Sequence, residues 1–339
     1  MSDKLKVGVV GCGIQSQIVY LPALKKNKQV EIIALCDSDI RKLNHLKARY
    51  NVPYHYVDFD KFVTNSEIQA VIIATPNYLH CPMTLGALEY DKHVLVEIPM
   101  AINSQEARKM IDVANKKKKI LMPAVYQRIR QDVQLIKSFI DNAELGRIYY
   151  SKAGWLRGRA DWAMTGWWSE QMRAGGGAFL SLGSQILDIA VYFAETLKPV
   201  SIIGVAHKRN EKSQVEDSAF AMIRFPQNQI LTIEVSFSVL QEKDFSYYNV
   251  FGDKGVALLN PVSINREMHG HLVNVTPKSI LEQKDYVRQA YNLMVDVFVD
   301  GCLKNIELPI KPTDGLLVCQ IIDAFYKSHQ TQKEVIIKT

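Results

Sequence analysis

Glu97-Ile98-Pro99 ends a short apolar run, Val94-Leu95-Val96, and is the first place in this chain where chemistry is expected. In a parallel nucleotide-binding sheet, the carboxyl end of such a strand opens into the crevice where ligands bind. The residue after Glu97 should then face both cofactor and substrate. Here it is isoleucine, which neither gives nor takes a proton. A second candidate cluster lies on a nearly all-apolar helix expected over about 178–194. Ser181, Gln185 and Asp188 stand there at i, i+4 and i+7, on a single face. Unpaired polar groups in a buried helix are costly, so the stripe needs partners. It either lines a ligand pocket or pairs with polar groups of the other domain, and we adopt the pocket. A third cluster is the loop from Arg157 through Trp162 to Trp167-Trp168, where arginines and aromatics crowd together. Its composition suits a ligand lid or a domain or subunit contact.

These groups require a scaffold, and the first third of the chain spells one out. Lys6-Val7-Gly8-Val9-Val10 reads as a strand. Gly11-Cys12-Gly13-Ile14-Gln15-Ser16 follows at once, and Ile18, Val19, Leu21 and Leu24 then recur at helical spacing. Strand, glycine turn and helix form the dinucleotide fingerprint, in which bare backbone N–H groups approach a pyrophosphate at a helix N-terminus. Ser16 stands at the third small position. A second strand, 30–36, leads to Asp37, 24 residues after Gly13 and placed to accept from ribose hydroxyls. That acid favours NAD over NADP, with Arg41 nearby leaving NADP open; an ordinary helix-capping Asp is the alternative. The strand 70–74 breaks at Thr75-Pro76-Asn77, and His80 follows one turn into a helix, either facing the crevice or serving as a structural hydrogen-bonder. Asn103-Ser104-Gln105-Glu106 has the form of a capping box for a helix to about 117. With a strand at 120–124, these alternating elements predict a doubly wound parallel sheet over residues 1–124.

From 125 to 339 the pattern changes to an α+β domain. A helix (131–141), a strand (147–156), the polar-striped helix behind Gly175-Gly176-Gly177 and strands at 200–208, 217–225, 229–238, 246–252, 255–259 and 271–275 predict a large, mainly antiparallel open sheet. Two helices (about 284–303 and 313–329) and a last strand close the chain. These helices are candidates to pack back on the first domain.

Composition excludes several classes. A chain of 339 residues with 47% apolar and 22% charged residues is an ordinary globular protein of two domains. No apolar run reaches the ~18 residues that span a bilayer, and the start of the chain has no signal-peptide form, so a cytoplasmic protein without membrane contact is expected. The five cysteines are scattered and odd in number, which fits reduced thiols and no metal site. The +6 charge is dispersed. Its one run, Lys116 to Lys119, suits a helix C-terminus better than a nucleic-acid patch.

Over essentially its full length the chain resembles the Gfo/Idh/MocA family of NAD(P)-dependent oxidoreductases. The likeness rests on Gly11/Gly13, Asp37, Ala74-Thr75-Pro76-Asn77 with His80, Glu97-x-Pro99, the triple glycine with its helix, Val215-Glu216-Asp217 and Phe251-Gly252-Asp253-Lys254-Gly255. The resemblance implies hydride transfer on sugars, inositols or related small molecules, and homodimers or homotetramers formed through the second sheet. It implies a cofactor site from Gly11, Gly13, Ile14, Gln15, Asp37, Thr75, Pro76, Asn77, His80, Glu97 and Ile98. It also implies substrate contacts at the positions of Ser181 and Gln185, to which the loop's composition adds Arg157, Trp162 and Trp167 as candidates. Three positions depart from the family: its lysine is Ile98, and its helix acid and histidine are Ser181 and Gln185. General acid–base help is worth ~10²–10⁴-fold. The expected chemistry is therefore hydride transfer to or from a sugar-like or conjugated molecule without the usual pair, with Asp188, Tyr126, Arg128 and His80 as candidate catalytic substitutes. The alternative is a non-catalytic NAD(P)- and sugar-binding sensor.

Overall fold

A computed structural model describes residues 4–158, 166–194, 197–209, 211–282, 285–304 and 306–339. The chain forms two compact units. One comprises the residues up to Tyr126 together with Val287–Leu316; the other is Gln127–Tyr286 with Leu317–Thr339.

In the first unit, strands β1 (Leu5–Val10), β2 (Val30–Cys36), β3 (Tyr54–Tyr56), β4 (Ala70–Ile73), β5 (His93–Val96) and β6 (Leu121–Pro123) build one parallel sheet ordered β3-β2-β1-β4-β5-β6. Its central strands are buried on both faces, which is why they read as unbroken Val/Ile runs. Between them run α1 (Leu21–Lys26), α2 (Ile40–Tyr50), α3 (Phe59–Val63), α4 (His80–Glu89) and α5 (Ser104–Lys117). Sequence signals start three of these helices. The side chains of Asp39, Asp58 and Asn103 each accept from first-turn N–H groups, satisfying donors that have no intrahelical partner. Strand order reverses between β1 and β4. The crevice of a doubly wound sheet therefore opens at the carboxyl ends of these two strands.

In the second unit, α6 (Gln131–Asp141) leads into β7 (Ile148–Gly158). Next come α7 (Gln171–Ala174), a π turn (Phe179–Gly183) and α8 (Ser184–Ala194). The chain continues through β8 (Ser201–His207), β9 (Ser218–Arg224), β10 (Ile230–Val239), β11 (Phe245–Gly252), β12 (Gly255–Leu259), β13 (Ser263–Met268) and β14 (His271–Asn274). Helices α9 (Lys278–Leu281), α10 (Tyr286–Lys304) and α11 (Pro312–Thr331) and strand β15 (Val335–Ile336) complete it. Helix α10 lies almost wholly in the first unit, and α11 begins there and continues into the second. Among the described residues the sheet has nine strands, antiparallel except for the β7–β10 pair. Strand β13 departs from the sequence expectation. It pairs through its backbone near the sheet edge, and only Ile264 on it is buried, so it carries no apolar signature.

The stretch 171–194 is long and apolar enough to cross a membrane, but 78% of its most apolar window is buried in the protein. It is a core helix, packed with Leu180, Leu187 and Ile189 against the sheet's Val235, Val250 and Ile223. The opposite face of the sheet leaves Ile203, Val205 and Phe220 40–49% exposed. A 370 Å³ depression there is lined by Lys152, Phe220, Thr232, Glu234 and Tyr247 among others.

Candidate functional site

The glycine turn follows β1 directly. Gly11 has φ +84°, and a Cβ on it would lie 2.4 Å from the Ala74 carbonyl oxygen, so β1 and β4 meet there with no room for a side chain. At Gly13, by contrast, a Cβ would meet nothing within 4 Å. The backbone is bare on an open side, as close approach of a pyrophosphate requires. Ser16 is fully buried and its hydroxyl donates to the Gly11 carbonyl, so the third small position closes the turn from within. The helix behind opens with a π turn, Ser16–Tyr20, a distortion that recurs at functional sites. Asp37, at the end of β2, accepts from the Cys12 N–H at 2.7 Å and the Asp39 N–H at 2.9 Å. Lys42 lies 3.3 Å from the same carboxylate.

On the β4 side, the Thr75 hydroxyl is buried without a hydrogen-bond partner among the described residues. Buried hydroxyls are seldom left unpaired. His80 is 1% exposed. Its Nδ1 lies 2.8 Å from the Pro99 carbonyl oxygen and its Nε2 2.8 Å from that of Thr75. Burial pushes its pKa down against the pull of those two oxygens. The ring braces the loop after β4 against the loop after β5, the geometry of a structural hydrogen-bonder.

Glu97 is buried where β5 ends. Its Oε1 accepts from the Tyr20 hydroxyl at 2.6 Å and from the Gln15 amide at 3.4 Å, and its Oε2 accepts from the Ile98 N–H at 3.0 Å. Burial raises its pKa, only partly offset by these donors. The Gln15 amide also donates to the Tyr291 hydroxyl at 3.1 Å, and the Tyr291 ring stacks on Tyr126 at 4.0 Å. Tyr20 and Tyr291 were not legible as site residues. Tyr291 sits 276 positions from Gln15, and no local pattern announces that pairing.

In the second unit the polar stripe has three different fates. Ser181 is half-buried on the π turn. The Gln185 side-chain oxygen is buried with no hydrogen-bond partner among the described residues. Asp188 is held bidentately by Arg128, Nε to Oδ2 at 2.8 Å and Nη2 to Oδ1 at 2.7 Å, both side chains about 95% buried. The same guanidinium lies 5.3 Å from the centre of the Tyr192 ring. Two of the candidate catalytic groups are thus each other's counter-ion. The triple glycine also has a physical reason. A Cβ on Gly177 would lie 1.8 Å from the Glu216 carbonyl oxygen, and the Glu216 carboxylate accepts from the N–H groups of Gly177 (3.0 Å) and Phe179 (2.9 Å) and from the Tyr326 hydroxyl (3.0 Å). Burial raises the pKa of this carboxyl as well. Arg157 pairs with Asp244 at 2.9 Å, and Trp167 stacks on Trp168 at 3.9 Å. Trp162 lies outside the described residues. No cluster of three or more metal-binding side chains occurs among the described residues.

A glycine-turned dinucleotide domain in the order β3-β2-β1-β4-β5-β6, followed by an α/β domain on one broad sheet, defines a class of two-domain NAD-dependent oxidoreductases. Residues 5–125 match the family model described as oxidoreductase family, NAD-binding Rossmann fold, and residues 137–337 match the family's C-terminal alpha/beta domain. The chain belongs to the Gfo/Idh/MocA oxidoreductase family. It is 27% identical to the D-glucoside 3-dehydrogenase of Escherichia coli (strain K12), with 98% of each chain covered. Levoglucosan dehydrogenase in complex with NADH and levoglucosan shares its fold, with a TM-score of 0.88 at 19% identity, covering 99% of this chain and 100% of that one. The WlbA dehydrogenase from Bordetella pertussis, in complex with NADH and UDP-GlcNAcA, does so equally, with a TM-score of 0.88 at 18% identity, covering 100% and 99%. NAD is the cofactor of this oxidoreductase. The open side of Gly13, the unpartnered Thr75 hydroxyl and Asp37 at the end of β2 all fit it.

Proposed function

We propose that this protein transfers hydride between NAD and a sugar-like small molecule, without the lysine–histidine pair that its family resemblance implies. NAD supplies a hydride acceptor or donor at its nicotinamide. Gly11, Gly13, Ile14 and Gln15 would hold its pyrophosphate end, Asp37 its ribose, and Thr75, Pro76 and Asn77 the middle of the crevice, with His80 keeping the β4 and β5 loops in register. The observation that carries the substrate class is the Gln185 side-chain oxygen, buried and without a hydrogen-bond partner among the described residues on a mostly apolar helix. An acceptor so placed is expensive unless a ligand hydroxyl donates to it. Sugars supply such donors. Ser181 would bind beside it, with Arg157 and Trp167 as further ligand contacts, and the Arg128–Asp188 pair would hold the helix and its stripe in place. Ile98 cannot move the proton that accompanies the hydride.

The E. coli relative's name directs the test to glucosides. Purified protein mixed with NAD⁺ and methyl β-D-glucoside or levoglucosan should generate NADH absorbance. A second reading, a non-catalytic NAD and sugar sensor, draws support from Ile98 and from Asp188 being committed to Arg128. Saturable NADH binding with no turnover across glucosides, keto sugars and conjugated enones would decide for it. The exposed apolar face around Phe220 supports assembly as a homodimer or homotetramer through the sheet. The five cysteines, none joined in a disulfide among the described residues, support a reducing, cytoplasmic compartment.

A further inference from the structure

Glu97 is a buried carboxyl without a cation. Its three hydrogen-bond donors, the Tyr20 hydroxyl, the Gln15 amide and the Ile98 N–H, are all neutral, and no ion pair reaches it among the described residues. Ile98 stands where the family resemblance implies a lysine, so the neighbouring position offers no counter-ion either. A buried charge in this state is costly. The group either holds its proton or takes a partner of opposite charge.

We propose that Glu97 selects the oxidised cofactor, its carboxylate serving as counter-ion to the positively charged ring of NAD⁺. The strand order carries the placement. Asp37 ends β2 and the glycine turn follows β1, which puts the ribose and pyrophosphate contacts on one side of the strand-order reversal. The nicotinamide half is left with the β4–β5 side, and Glu97 stands directly after β5. Gln15 ties the two ends together, since its amide reaches from the glycine turn to Glu97 at 3.4 Å. NAD⁺ and NADH share their adenine, riboses and pyrophosphate and differ by one positive charge on the nicotinamide. A carboxylate on that side of the crevice therefore strengthens the one and not the other.

Burial raises the pKa of Glu97, and a cation brought to it favours the ionised form. NAD⁺ binding is thereby linked to the loss of a proton, so its affinity rises with pH while that of NADH stays level. The other titratable groups around Glu97 are Tyr20 from the π turn and Tyr291 from α10, and burial holds both hydroxyls well above their ordinary pKa. His80 is bonded to the carbonyl of Pro99, two residues along, and burial lowers its pKa. On the hydride-transfer reading, tighter binding of NAD⁺ than of NADH shifts the bound pair toward NAD⁺. The protein then favours passing hydride from NADH to a substrate's carbonyl carbon, with the proton for the oxygen drawn from solvent.

The test reads NADH affinity by fluorescence titration and NAD⁺ affinity by displacement of NADH, from mildly acid to neutral pH. In the wild type, NAD⁺ affinity should rise with pH relative to that of NADH. Glu97→Gln should weaken NAD⁺ at neutral pH by about tenfold, leave NADH within about twofold, and flatten the pH dependence. Tyr20→Phe keeps the carboxyl and removes the hydroxyl that stabilises its charged form, so the rise should move to higher pH. Equal loss of both cofactors in Glu97→Gln overturns the proposal. So does a pH dependence that survives Glu97→Gln, which would belong to His80, or a rise that stays in place in Tyr20→Phe. None of these readouts needs turnover. A protein that shows the Glu97-dependent preference but turns over no sugar overturns the hydride-transfer reading and leaves the selection of NAD⁺ standing.

Discussion

Glu97 shows how far a single residue can be read ahead of its structure. An acid ending a buried strand was legible as a candidate site residue from the apolar run before it. That its carboxyl would be buried among Tyr20, Gln15 and Tyr291 was not, because two of those partners come from other elements and one from the far end of the chain. Its burial has a consequence for stability. A carboxyl whose pKa is raised on folding favours the folded state below its unfolded value and loses that contribution as pH rises through the folded value. Glu97→Gln removes the ionisation. The variant should therefore gain stability relative to wild type as pH is raised from the ordinary carboxyl range toward neutrality, and the two should converge in acid. Denaturant midpoints measured at several pH values check this; a gap that does not change with pH would mean that Glu97 keeps its ordinary pKa.

At the scale of elements, the glycine turn separates two jobs that its sequence motif runs together. Gly11 is required by the fold, since its φ is positive and a Cβ would strike the Ala74 carbonyl. At Gly13 a Cβ would strike nothing in the protein, so the fold does not require this glycine, and we propose that the cofactor does. Gly11→Ala should cost more than about 1 kcal/mol of stability. Gly13→Ala should leave stability within about 0.5 kcal/mol and weaken NADH by about tenfold or more. Thermal denaturation paired with NADH fluorescence titration separates the two. Most elements were legible because propensity, capping and period agreed, as for Asn103 before α5. The π turns at Ser16–Tyr20 and Phe179–Gly183 were not, because their extra residue per turn leaves no mark in an apolar pattern. Strand β13 escaped for the opposite reason, having too little apolar pattern to see.

For the whole molecule, the sheet of the second unit has one face filled by its own core and another that is apolar and uncovered. If copies of the chain meet there, Phe220→Glu should convert the assembly to a smaller species by light scattering, while NADH binding persists. A wild-type protein that elutes as a monomer would remove this account of the exposed face. Fold class was plain from the order of strands and helices, and family membership followed from motifs spread over both units. The candidate site was half legible: the glycine turn is local in sequence, whereas the groups around Glu97 are assembled from distant segments.

The first unit takes its last thirty residues, Val287–Leu316, from beyond nearly all of the second. Asn27 bonds Asp296 at 2.6 Å, Gln15 bonds Tyr291, and Gly301 packs against Ile120. During synthesis, the cofactor-binding sheet must wait for α10 until about 160 intervening residues have emerged, so the usual rule that an amino-terminal domain is finished before the next begins does not apply to it. A ribosome stalled before residue 287 would carry a nucleotide domain still lacking Tyr291.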